Sequence, residues 1–138
     1  MRMWMVNPKL MCRKHLLGEH CECHMFLGTL RKQKSVTGYI RNNLFEPISL
    51  KLRHDALAIE MQARGYNHKS PLDFSSLILN YLTSDQMVHR IDQENSFRDL
   101  THRCNVCMNN ALNQIHKVVR EGFHRVDTPP QFNPQITT

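Results

Sequence analysis

The chemistry of this chain is sought first at Met1 and Glu22. A terminal α-amine is the one protein amine that titrates near ~8 in peptides, so part of it is neutral and nucleophilic at physiological pH. Beside a carboxylate that moves protons and stabilises a cationic transition state, such an amine suffices for Schiff-base catalysis. Met1 can supply the amine. Glu22, inside the run H-L-L-G-E-H-C-E-C-H, can supply the carboxylate. Removal of an initiator methionine normally requires a small second residue, and Arg2 is large, so Met1 is expected to be retained as the nucleophile.

Glu22 must be carried by a helix for this to work. Asn7-Pro8 reads as an N-cap followed by proline at the first helical position, and no further proline occurs until residue 47. A first helix is therefore expected from Pro8 to about Gln33. At 100° per residue His15, Glu19, Glu22 and Phe26 fall within roughly 60° of one another, a stripe that can handle protons or can be an ordinary polar face. Leu10, Leu17, Met25 and Leu27 are expected to face the core. Gly18 and Gly28 weaken such a helix by about 1 kcal/mol each relative to alanine, unless they admit another backbone.

Further along, Pro47 opens a second helix with Leu50, Leu57 and Met61 at helical spacing, and Gly65 is placed to end it. Residues 73–82 read as a short helix or tight turn. Thr83 with Gln86 matches a capping box, which predicts a third long helix over 84–102, and a last helix is expected near 106–121. No strand pattern and no repeat occurs. The expectation is all-α: a single compact domain of three to four helices over residues 1–127, with an irregular tail over 128–138.

The 138 residues carry a net charge of +6 and 41% hydrophobic residues, enough for a core and a basic surface. That balance favours a polyanionic partner, double-stranded DNA first. No apolar run approaches the ~18 residues of a membrane span, and no leader-like segment follows Arg2. A cytoplasmic monomer without a membrane partner is the expectation. Arg13, Lys14, Arg31 and Lys32 are placed to meet phosphates, and His68 and Lys69 either face DNA or form a polar loop.

Two stretches carry a resemblance. Residues 15–32, H-L-L-G-E-H-C-E-C-H-M-F-L-G-T-L-R-K, resemble the corresponding stretch of the phage-type pyrimidine-dimer DNA glycosylases, the endonuclease V family of UV repair. Residues 64–69, R-G-Y-N-H-K, resemble that family's short motif after its second helix. The resemblance implies an all-α fold whose N-terminal segment threads between helices to the site. It implies that the terminal amine attacks C1′ of the 5′ nucleotide of a cyclobutane dimer, breaking the base–sugar bond and forming an imine, and that β-elimination then nicks the strand. The carboxylate matching Glu22 would stabilise the sugar cation, and Arg2 would touch DNA. A base would be flipped from a kinked duplex, and catalysis would need no cofactor. Cys21 and Met25 stand where arginines flank the glutamate in the family's best-known member, so the lesion could differ. A non-catalytic helical DNA-binding protein and a zinc-stabilised interaction protein are the alternatives.

Five cysteines, without signs of secretion, read as thiols or metal ligands. Cys104-x-x-Cys107 has zinc-ligand spacing, with Cys12, Cys21, Cys23, His20 and His24 as possible partners. A structural zinc held by His20, His24, Cys104 and Cys107 would tie the last helix to the first; otherwise these are free thiols and an ordinary helix face. His54 and Asp55 are expected to cap or pair locally.

Overall fold

The computed structural model describes residues 1–126, with side chains to residue 121. Among the described residues there is no strand. The helices are α1 (Arg13–Arg31), α2 (Thr37–Arg41), α3 (Leu50–Ala63), α4 (Ser84–Val88), α5 (Gln93–Arg103) and α6 (Asn105–Val126), with 3-10 turns at Pro8–Leu10, Pro47–Ser49 and Ser76–Leu79. The all-α expectation holds, with more and shorter helices than expected. The tail expected from Thr128 lies outside the described residues.

Helix α1 begins later than the Asn7-Pro8 signal suggests. That signal caps only a 3-10 turn, Asn7 accepting from the Lys9 amide. The helix itself is capped by Cys12, whose sulfur accepts from the His15 amide. Its buried positions, Leu16, Glu19, His20, Cys23, Phe26, Leu27 and Leu30, follow the 3.6-residue period. Met25 belongs to the outer face, at 54% exposed, and is no part of the core. Phe26 stacks on Phe45 with ring centroids 4.1 Å apart and meets Tyr39 edge-on at 5.2 Å. At both Gly18 and Gly28 a Cβ would meet nothing within 4 Å, so neither glycine serves a close backbone approach.

Helix α3 packs along α1 through Leu50, Leu57, Ala58 and Met61. Gly65, at φ +84°, ends it where the sequence places the stop, in a conformation that costs glycine little. The expected helix over 84–102 is broken. Its capping box forms, Thr83 and Gln86 bonding each other's amides, but α4 stops at Val88. Residues 89–92 leave the helix because buried Glu46 accepts the Ile91 amide at 2.8 Å, and Asp92 starts α5 afresh by accepting from Asn95. A buried carboxylate left unpaired costs more than one helical turn contributes.

The N-terminal segment threads through this framework. Met3, Trp4 and Val6 are buried. The Met3 amide donates to Leu44 O at 2.7 Å, and Ser96 Oγ donates to Trp4 O. Met5, at φ +56°, turns the segment between its two buried neighbours.

Candidate active site

A cleft of about 490 Å³ opens where the first residues meet α1 and the end of α5. Met1, Arg2, Trp4, Lys14, His15 and Glu22 line it, with Gly18, Glu19, Leu44 and Arg103 completing its walls. The Arg2 amide donates to Glu22 Oε2 at 3.0 Å, so the Met1 amine lies one peptide unit from the carboxylate's hydrogen-bonded oxygen.

The Arg2 side chain holds this arrangement. Its guanidinium lies 3.6 Å above the Trp4 ring, donates to Asp99 at 2.6 Å and reaches Ser96 Oγ at 3.3 Å. Burial pulls it below the ordinary arginine value, against the upward pull of Asp99. Its Nε is buried without a partner. Arg2 is therefore turned inward, anchoring the N-terminal segment to α5.

Glu19 shares the helix stripe with Glu22 but not its environment. It is fully buried and takes a two-pronged contact from Arg53, Nε at 2.5 Å and Nη2 at 2.8 Å, while Arg53 also donates to Val6 O at 2.6 Å. The pair joins α1, α3 and the N-terminal segment. It leaves Glu22 as the carboxylate of the cleft that is open to substrate.

The expected zinc set does not assemble. Cys104 and Cys107 lie with Cys12 and His15, all four ligand atoms being within 4.8 Å of one another, while His20 groups with His54 and His68. The reason is the helical phase of α1. His20 and His24 point toward α3, where His20 Nε2 lies 3.1 Å from His54 Nε2 and 3.0 Å from His68 Nε2. His15 points toward the α5–α6 junction, its Nδ1 being 3.1 Å from Cys12 Sγ. The three imidazoles converge, and His54 is oriented by Asp55 at 2.8 Å. Burial first, then the neighbouring histidines, pushes His20 down to about 4. His15 is likewise lowered, by burial and by Lys14, with Glu22 opposing.

The remaining cations divide. Lys14 is exposed at the cleft, and Arg13, Lys32 and Lys69 are exposed. Arg31 is engaged by Asp73, at 2.9 Å from its carbonyl oxygen. His68 turns to His20 and is not a free surface histidine. Trp4, Arg53, Asp99 and Arg103 were not expected at the site. For Cys12 and His15 a signal existed: C-R-K-H has the spacing of C-N-V-C.

A family model described as pyrimidine dimer DNA glycosylase matches residues 1–74, more than half of the chain. The chain belongs to the pyrimidine dimer DNA glycosylase family. The match takes in Met1, Arg2, Glu19, Glu22 and Arg53, while Arg103, which also lines the cleft, and Asp99, which pairs with Arg2, lie beyond it on α5. No curated protein and no solved structure matches the chain. No helix among the described residues is long and apolar enough to cross a membrane.

Proposed function

We propose that this glycosylase acts on pyrimidine dimers in double-stranded DNA and also cleaves the strand as an AP lyase, through a Schiff base on the Met1 amine. The observation that carries the reading is the 3.0 Å bond from the Arg2 amide to Glu22, which holds the start of the chain against the cleft carboxylate. The proposal takes Met1 as the terminal residue of the active protein, which intact mass checks.

In the proposed sequence the neutral amine attacks C1′, and the C1′–N1 bond breaks with its electron pair leaving on the pyrimidine. Glu22 stabilises the cationic sugar. Loss of a proton from nitrogen and opening of the C1′–O4′ bond give the imine. Removal of a C2′ proton by Glu22 as general base expels the 3′ phosphate, and water hydrolyses the imine. Lys14 and the exposed cations Arg13, Lys32 and Lys69 meet phosphates. No proton transfer is assigned to His15, whose Nδ1 faces Cys12. No cofactor enters these steps.

A second reading concerns the lesion alone. Cys21 and Met25 are both exposed on α1, where the best-known member of the family carries arginines, which favours a different damaged or modified base. Strand cleavage assayed on duplexes carrying a single cyclobutane dimer, an abasic site or one of a panel of modified bases separates the readings. The proposal expects cleavage of the dimer and abasic duplexes, lost in Glu22→Gln. Cleavage of the abasic duplex but not the dimer moves the substrate to another lesion. Cleavage of neither by a folded protein overturns the proposal.

A further inference from the structure

We propose that Cys12, His15, Cys104 and Cys107 form a structural zinc site that clamps the α5–α6 junction to the start of α1. Four zinc ligands at ~2.3 Å for sulfur and ~2.0 Å for nitrogen, arranged as a tetrahedron, stand roughly 3.5–3.8 Å from one another. Cys12 Sγ and Cys104 Sγ are 3.8 Å apart, His15 Nδ1 and Cys107 Sγ are 3.8 Å apart, and His15 Nδ1 is 3.1 Å from Cys12 Sγ. The spacing is that of ligands around one small ion, and too long for a disulfide.

Both halves are built alike. Cys12-x-x-His15 opens α1 and Cys104-x-x-Cys107 opens α6, each with its first cysteine just before the helix. Thiolates there face the positive ends of two long helices. Backbone amides complete the surroundings: His15 N–H donates to Cys12 Sγ, Cys12 N–H to Cys107 Sγ at 3.2 Å, and Cys107 N–H to Cys104 Sγ at 3.5 Å. Such N–H···S bonds delocalise thiolate charge and orient the sulfurs. Four protein ligands leave no open position, which marks a structural rather than a hydrolytic ion, and three sulfurs with one imidazole suit zinc. Zinc binding displaces three thiol protons to solvent and oxidises nothing.

The clamp also has a location. Asp99, which holds Arg2, is on α5 five residues before Cys104, and Trp4 meets the His15 ring edge-on at 5.7 Å. A zinc here fixes the wall against which the N-terminal segment is seated, without touching the Met1–Glu22 chemistry.

Zinc content of the full chain, purified under reducing conditions, tests the proposal by native mass spectrometry. One zinc per chain is expected. It is retained in Cys21→Ser and His68→Ala, and lost in Cys107→Ser and in the Cys104→Ser/Cys107→Ser pair. Because those variants can unfold, the unaltered protein is also exchanged with cobalt(II). Intense sulfur-to-cobalt charge transfer and tetrahedral visible bands support the site. A cobalt spectrum lacking sulfur charge transfer, zinc retained in the double variant, a Cys12–Cys104 disulfide in the freshly purified protein, or a folded, reduced protein that takes up no zinc would each overturn it. Zinc content is read without DNA, so the result is independent of the proposed lyase activity.

Discussion

The backbone amide of Arg2 donates to Glu22 Oε2 at 3.0 Å, tying the first peptide unit to the middle of α1. The next peptide is tied to Leu44 through Met3, and the Arg2 side chain to Asp99 on α5. The three attachments come from three different parts of the chain. A terminal amine held this way has little orientational freedom left to lose when a substrate arrives, which is where positioning contributes most to rate.

The buried Arg53–Glu19 pair is the strut behind this arrangement. Glu19→Gln leaves a buried guanidinium without its counter-charge and should destabilise the fold by about 3–5 kcal/mol, whereas replacing both partners by methionine should cost much less. Urea unfolding midpoints of the two variants check this. Equal losses in both would show that the pair's charge is not what matters.

His20 makes stability depend on pH. Held neutral and pushed down to about 4 from the ordinary 6.5, it binds a proton more readily in the unfolded chain than in the folded one. Stability is therefore full above about 6.5 and falls as pH drops toward 4, where the loss levels off. His24, His54 and His68 face it, and Asp55 pairs with His54. Thermal melts across that range should show the decline, and His20→Gln should flatten it.

Gly18 faces the cleft with nothing within 4 Å of an added Cβ. Gly18→Ala should stabilise α1 by up to about 1 kcal/mol through helix propensity. The same methyl narrows the space beside Glu22, so cleavage should fall while the melting temperature rises. Unchanged activity would mean that substrate passes elsewhere.

Lys14 is exposed at the cleft mouth, and DNA affinity should carry its charge. Lys14→Ala should weaken binding to damaged and undamaged duplex alike, and lower the slope of log affinity against log salt by about 1. Titrations at several salt concentrations measure both.

Much of this was legible in residues 1–33 and 47–65, where apolar periodicity and the Gly65 stop mark α1 and α3. Helix α4 could not be separated from α5 by local signals, because the break between them is set by Glu46, more than 40 residues away. Nor does helical phase alone show that Glu19 is consumed by Arg53 while Glu22, three residues on, stays open. The metal ligands show the same limit. Cys-x-x-His and Cys-x-x-Cys are visible as spacings, but which halves meet is decided by how α5 and α6 close on the start of α1.

The central claim is that the Met1 amine is the nucleophile and Glu22 its partner. Borohydride trapping on abasic duplex DNA, followed by peptide mapping of the adduct, tests it most directly. A covalent adduct on the Met1 nitrogen is predicted, absent after N-terminal acetylation, whereas Glu22→Gln, lacking the base for elimination, should still be trapped on the abasic duplex but cleave it about 10²-fold more slowly. An adduct mapping to a lysine, or full trapping by the acetylated protein, would contradict it.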